Sequence, residues 1–288
     1  MKRKIFIFGG QGFIGTNLAI FFSRSNDVYV IGNKSRLKKN PLKSNKKIKK
    51  ISIDIFNIKK LKKNRFKDSI IIVPIPFKHK VIKEKYKILI KYLFEQKPYK
   101  IILLSSVAIY GNSKKKVNEN SKIQITSKYS KYCKEIENIC INNYKKNCYL
   151  NILRIGNVFG SYRNSPSFIE KLLLNFKYNK KFKFYNQKLV RSYLSINNLI
   201  QIINKLKIKK TRYIIYNVSN PNFIFSQNEI INNFKNENLL KNYITIKPKK
   251  SKIKIKTSII DSSRIVSEFK ISYKKNFIQE VKTVLNNL

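Results

Sequence analysis

Gly9-Gly10-Gln11-Gly12-Phe13-Ile14-Gly15 sets glycine at 9, 12 and 15, between a short apolar run, Lys4–Phe8, and a stretch with helix-spaced apolar residues, Thr16–Arg24. A strand, a glycine turn and a helix in that order let a phosphate group rest on bare main chain. Gly9 permits the tight turn, Gly12 lets the backbone touch a pyrophosphate, and Gly15 lets helix and strand pack closely. The helix start adds N–H groups and the positive end of its dipole. Four of the 8 glycines fall in residues 9–15; the others, Gly32, Gly111, Gly156 and Gly160, stand at or just beyond predicted strand ends. Such clustering in a glycine-poor chain marks the carboxyl edge of a sheet as the place where backbone must come close to a ligand. Ser106, which closes another predicted strand, belongs to the same edge. The single histidine, His79, reads as a polar residue at a helix start, and no metal-ligand cluster or nucleophile triad stands out.

The elements that must hold these residues alternate. Val28–Ile31, Ile51–Ile55, Ser69–Ile75, Lys100–Ser106 and Tyr149–Ile155 read as further strands, with helices over His79–Gln96 and Tyr129–Tyr144. Strands alternating with helices predict an α/β fold, a Rossmann-type doubly wound parallel sheet. Past about residue 160 the pattern changes to helices over Phe168–Lys177, Asn197–Lys205, Gln227–Lys235 and Phe277–Leu288, with short strands at Tyr213–Val218 and Tyr243–Lys247. The expected organisation is therefore a dinucleotide-binding domain over residues 1–160. A smaller C-terminal α+β substrate lobe follows over 161–288, with segments returning to the first.

The 288 residues can bury a full core, and 42% hydrophobic residues exclude a disordered polycation. No apolar run approaches the roughly 20 residues that span a bilayer. Met1-Lys2-Arg3-Lys4 leads straight into a strand-like run, which does not resemble a secretory signal. Cys133, Cys140 and Cys148 crowd into one predicted helical stretch, suiting neither a disulfide framework nor a metal site, so a cytoplasmic compartment is expected. Lys plus Arg number 63 against 14 Asp plus Glu, a net charge of +49. Two explanations compete: a surface for polyanions, or the codon bias that also enriches Ile, Asn, Tyr and Phe. The dense runs Lys34–Lys50 and Lys59–Lys67 nearly lack aromatic residues, so base-stacking platforms are not evident there and nucleic acid is an unlikely partner.

The glycine spacing, with Phe13-Ile14 before the last glycine, resembles the extended short-chain dehydrogenase/reductases, the NAD(P)-dependent sugar-nucleotide epimerase/dehydratase family. The resemblance runs along nearly the whole chain. Ile53-Asp54-Ile55 is similar to the family's adenine-contacting segment, and Ile72-Val73-Pro74-Ile75-Pro76 takes the place of its cofactor-lining fourth strand without the usual Ala-Ala pair. Leu104–Gly111, Leu153–Gly160 and Arg191–Asn198 are similar to three further family segments, in the right order.

The resemblance implies a dinucleotide held by Gly9, Gly12, Phe13, Ile14, Gly15, Asn33, Arg36, Asp54, Ile55, Val73 and Tyr129. Val30-Ile31-Gly32-Asn33-Lys34-Ser35-Arg36 has no carboxylate at the end of the second strand and two nearby cations, which favours NADP over NAD. The resemblance makes Ser106 the hydroxyl that bonds a substrate oxygen and Tyr129 the phenol that moves a proton. The family's lysine four residues on, which lowers the phenol pKa, is replaced by Cys133; Lys131 would need Ser127 in the phenol's place. The implied substrate is a nucleoside-diphosphate sugar, met by Ser106, Asn157, Arg163 and Arg191, with Arg264 a softer candidate. Asn197-Asn198 stand for the family's acidic pair, and a homodimer is expected from resemblance alone. Without the lysine, a scaffold that binds a dinucleotide or RNA and has lost its chemistry is the alternative.

Overall fold

The computed structural model describes residues 3–33, 41–57, 61, 65–75, 83–113, 115–185, 190–208, 213–246, 259–273 and 275–286. The chain forms β1 (Ile5–Phe8), α1 (Phe13–Phe22), β2 (Val28–Gly32), β3 (Ile48–Ser52), β4 (Ile70–Pro74), α2 (Lys83–Glu95), β5 (Lys100–Ser106), α3 (Lys128–Asn142) and β6 (Tyr149–Ile155). Then come β7 (Asn157–Phe159), α4 (Phe168–Tyr178), β8 (Phe182–Tyr185), β9 (Val190–Ser195), α5 (Ile196–Ile208) and β10 (Tyr213–Val218). The last elements are β11 (Ile224–Ser226), α6 (Gln227–Asn236), β12 (Tyr243–Ile246), α7 (Ser263–Phe269) and α8 (Phe277–Leu285).

A seven-stranded sheet of order β10-β6-β5-β4-β1-β2-β3 is flanked by helices, the Rossmann-type architecture expected. The pairs from β3 through β6 are all parallel. Its inner strands are unbroken apolar runs: every residue of β1 and Ile70–Val73 of β4 are buried, as strands covered on both faces must be. The order reverses between β1 and β4, so the crevice that binds ligands in such sheets opens at the carboxyl ends of those two strands. Helix α2 buries Tyr86, Leu89, Ile90, Leu93 and Phe94, a spacing of three and four that forms one helical face.

The chain divides into two compact units: residues 1–111, 123–155 and 200–216 form the first, and 112–122, 156–199 and 217–288 the second. The division falls inside α5 and β10. In the second unit, β9 pairs antiparallel with β11 and parallel with β7, while β8 and β12 form a parallel two-stranded sheet. Phe159, Leu172, Phe184, Phe223, Phe234 and Phe277 belong to that unit's core.

Several boundaries differ from the sequence reading. The third strand is Ile48–Ser52, not Ile51–Ile55. It is the edge strand, where Lys49 and Lys50 stand together between Ile48 and Ile51, so the apolar run past it misplaces its end. Asp54 and Ile55 follow the strand: the Asp54 carboxylate accepts the Phe56 N–H at 3.0 Å and turns the chain. Helix α1 begins at Phe13, three residues before the expected Thr16, because Gly12 already serves as its N-cap. It stops at Phe22, where Ser23 Oγ and Asn26 Nδ2 donate to the Ile20 and Phe22 carbonyls. Cys148 lies beyond the end of α3, so only Cys133 and Cys140 share a helix; all three thiols are free and buried. His79 lies outside the described residues. Among the described residues, no helix is long and apolar enough to cross a membrane.

Candidate functional site

The turn after β1 is built by what its glycines leave out. Gly9 has φ +59°, a backbone conformation that glycine adopts at no steric cost. A Cβ on Gly10 would stand 2.8 Å from Val30 Cγ1, and one on Gly15 would stand 2.5 Å from the Gly10 Cα. Helix α1 and the turn are therefore in contact through bare backbone, fixed by Gly12 N–H to the Gly9 carbonyl at 2.9 Å and Thr16 Oγ1 to the Gly10 carbonyl at 3.3 Å. Gly12 caps α1 in an extended conformation; no side chain bonds across the helix end and no acid lies in its first turn. Phe13 and Ile14 open the helix half-buried, with Gly12 exposed ahead of them. The cradle fits the pyrophosphate of a dinucleotide: a helix start with no side-chain cap, a positive dipole end and no acid in the first turn.

Around it, Gln11 folds its buried side chain over Gly32 at the end of β2, where a Cβ would meet Gln11 Oε1 at 2.9 Å. Asn33 follows, so among the described residues β2 ends without a carboxylate; Lys34 and Arg36 lie outside them. Val73 is fully buried in β4, whereas Asp54 is exposed.

Ser106 ends β5 and caps the short 3-10 turn Val107–Tyr110, its Oγ accepting the Ala108 N–H at 3.2 Å. Ser127 caps α3 in a reciprocal box with Ser130, and this start puts Tyr129 in the first turn of the helix. The Tyr129 phenol lies beside the Ser106 hydroxyl and the Cys133 thiol one turn along, close enough for both to act on its acid–base behaviour. Burial first, then Cys133, push the phenol pKa well above its usual value. Burial pushes the Cys133 thiol up to about 12, which keeps it neutral. Lys131 is exposed and Lys134 half-buried on the same helix. Ser127, with its hydroxyl spent on the cap, offers no phenol-like group for a Lys131 register. Beside this pair, the Tyr132 ring packs edge-on against Tyr86, centroids 5.8 Å apart, and the Tyr86 hydroxyl donates to the Pro74 carbonyl at the end of β4 at 3.3 Å.

The same helix carries a group that sequence reasoning gave no role. Glu137, eight residues after Tyr129, is fully buried and accepts Ser105 Oγ at 2.6 Å and the Arg154 Nη2 at 2.9 Å. Its signal was a lone arginine inside the apolar strand Tyr149–Ile155, which must find an acid partner to be buried at all.

In the second unit, Asn157 Nδ2 donates to the Ser192 carbonyl at 3.1 Å. Arg191, half-buried in β9, stands opposite Phe225. Arg163 points its guanidinium at the Val158 carbonyl, 2.8 Å, and at Glu170, 3.3 Å. Arg264 is exposed in α7. Asn198 is buried and accepts from Asn220 Nδ2 at 3.1 Å, while Asn197 Nδ2 reaches Glu280 at 3.5 Å.

Residues 84–219 match the NAD dependent epimerase/dehydratase family. No curated protein matches the chain by sequence. Among solved structures, a UDP-N-acetylglucosamine 4-epimerase from Methanobrevibacter ruminantium M1, in complex with UDP-N-acetylmuramic acid, superposes with TM-score 0.83 at 16% identity, over 99% of this chain and 98% of that one. An ADP-L-glycero-D-manno-heptose-6-epimerase from Helicobacter pylori gives 0.81 at 21% identity, over 99% and 96%. A dTDP-glucose 4,6-dehydratase from Bacillus anthracis, in complex with NAD, gives 0.81 at 17%, over 99% and 96%. At these identities the likeness is one of fold.

Proposed function

We propose that this chain, whose residues 84–219 match the NAD dependent epimerase/dehydratase family, is an NADP(H)-dependent epimerase or reductase of a nucleoside-diphosphate sugar. The observation that carries the reading is the Tyr129 phenol set beside the Ser106 hydroxyl at the carboxyl end of β5, in the unit that also holds the glycine cradle. When bound, the dinucleotide supplies a nicotinamide that takes or gives a hydride. The cradle from Gly9 to Gly15 holds its phosphates on main chain, and a β2 followed, among the described residues, by Asn33 and no carboxylate suits a 2′-phosphate. Lys34 and Arg36, next in sequence, suit the same group. Ser106 Oγ orients the sugar oxygen, and Tyr129 gives or takes its proton. Asn157, Arg191 and Arg163 are the groups offered to the substrate diphosphate, and a neighbour of the same fold is complexed with UDP-N-acetylmuramic acid.

The test is direct. NADPH fluorescence should quench and shift to the blue on binding, more strongly than NADH, and NMR of a mixed set of UDP-, ADP- and dTDP-sugars should show one of them converted. No binding at millimolar cofactor overturns the reading.

Cys133 supports a second reading. With a neutral thiol at the position one turn along from the phenol, the chain is a scaffold that holds a dinucleotide or RNA without turnover. RNA retention on filters with a steep loss in salt, and no sugar converted, would select it. Under either reading the buried free thiols suit a reducing cytoplasm, and Ile88, 52% exposed on α2, leaves an apolar side chain for a homodimer contact that light scattering would detect.

A further inference from the structure

Two short segments bring the reacting pair together: the end of β5, which carries Ser106, and the first turn of α3, which carries Tyr129. The strand ends in a four-residue 3-10 turn, and the helix starts on a serine cap. One buried side chain reaches both. Arg154, on the neighbouring strand β6, has only 4% of its side chain exposed. Its Nε lies 3.2 and 3.3 Å from the two Glu137 oxygens and its Nη2 lies 2.9 Å from Oε2, so a fork of donors grips the carboxylate of α3. From the same guanidinium, Nη1 donates to the Tyr110 hydroxyl at 2.8 Å, in the turn that Ser106 caps. Ser105, next to Ser106, closes the loop by donating to Glu137 at 2.6 Å. Tyr129, Cys133 and Glu137 lie at successive turns on one stripe of α3, so a shift at Glu137 is passed to the phenol by the helix itself.

We infer that Arg154 is a positioning residue for the Ser106–Tyr129 pair, its buried guanidinium locking the helix that bears the phenol to the turn that bears the hydroxyl. The inference rests on the reading of that pair as the reacting groups. A guanidinium is needed, because a planar fork can meet a carboxylate with two donors and a phenol with a third, and an ammonium cannot. A buried ion pair is poor evidence of stability, since an apolar pair of like volume often folds as well. Its directionality is what an apolar pair lacks, and misplacement of a reacting group by about 1 Å can cost roughly 100-fold in rate.

Two variants test this, each compared with the parent for melting temperature, NADPH affinity, kcat, KM and alkylation of Cys133 by iodoacetamide. The double variant Arg154→Met with Glu137→Met removes both charges together; Arg154→Lys keeps the charge without the fork and decides the matter if the double variant does not fold. Expected is a kcat lower by about 100-fold, with KM, NADPH affinity and melting temperature close to the parent. Wherever the parent turns over, an unchanged kcat in a folded variant overturns the inference. If the parent binds NADPH but turns nothing over, or binds none, the reading of the pair as reacting groups is what fails, and Cys133 then decides the positioning alone. Alkylation accelerated at least tenfold there, with Cys148 still shielded, supports the lock, and unchanged shielding overturns it.

Discussion

The glycine cradle and the Ser106–Tyr129 pair sit in the same unit, at the ends of β1 and β5, and are made by opposite means. The cradle is a site of missing side chains: Gly10 and Gly15 leave room that a single methyl group would fill, and the helix end they expose carries its charge in the backbone. The pair is a site of side chains whose properties are set by their neighbours, with Tyr129 desolvated by its surroundings and placed beside Cys133 and Ser106. A backbone site tolerates wide change elsewhere, because its chemistry is geometric. A side-chain site depends on which atom stands at each contact, and one replacement, such as a thiol for an ammonium, alters its acid–base behaviour while leaving its shape.

The sharpest separation of the two regions comes from Tyr129→Phe. Removing a general acid–base group costs 10²–10⁴ in rate, so kcat should fall about 1,000-fold while NADPH affinity stays within about threefold. Steady-state kinetics beside a fluorescence titration gives both numbers. An equal loss of binding would mean that the phenol holds cofactor and does no proton transfer.

The converse is Gly15→Ala. Its Cβ would stand 2.5 Å from the Gly10 Cα, and backbone cannot step aside as a flexible side chain can. Overpacking of this kind costs about 2–3 kcal/mol, so the NADPH dissociation constant should rise roughly 100-fold. Gly12→Ala, whose nearest neighbour is the Gly9 carbonyl at 3.3 Å, should do less. If the two alanines weaken binding equally, contact with the ligand and not helix packing limits the turn.

What the residues alone revealed follows the same division. The cradle was legible because its spacing is local, and β5 and β6 were legible to the residue because they are apolar runs bounded by turns. The edge strand β3 was misplaced because lysines interrupt it, and β7 and β11, three residues each, are too short to show a period. Ser106 and Tyr129 came from resemblance to a family, not from periodicity. Glu137 and Arg154 gained meaning only when β6 was laid beside α3, since their contact spans 17 residues of chain.

Acid–base behaviour probes the pair more finely. Burial and Cys133 raise the Tyr129 phenol above its ordinary value near 10, so the phenolate that accepts a proton is scarce at neutral pH and grows as pH rises. In the direction that removes a proton from the sugar, kcat should climb from pH 7 to pH 10 with no plateau. Cys133→Lys sets an ammonium one turn from the phenol, which lowers its pKa, and should raise kcat at pH 7 about tenfold and bring a plateau into view. Cys133→Ser, which keeps a neutral hydrogen-bonding group, should leave the profile as it was. A parent enzyme that already levels off below pH 9 would show that some other cation reaches the phenol.

The smallest expected effect concerns where the helix begins. Ser127 caps α3 two residues before Tyr129, accepting the Ser130 N–H at 3.0 Å. Loss of an N-cap costs about 1 kcal/mol, so Ser127→Ala should lower the melting temperature by about 2–4 °C. If the cap alone set the position of the phenol, kcat would fall with it. Glu137, two turns beyond Tyr129, is held by Arg154 and Ser105 independently of the cap, so the helix can fray at its start while its stripe keeps its register. The expected kcat is therefore within about threefold of the parent, against the roughly 100-fold set by a misplaced group. A large loss in Ser127→Ala at nearly unchanged stability would place control of the phenol in the cap and take it from the buried ion pair.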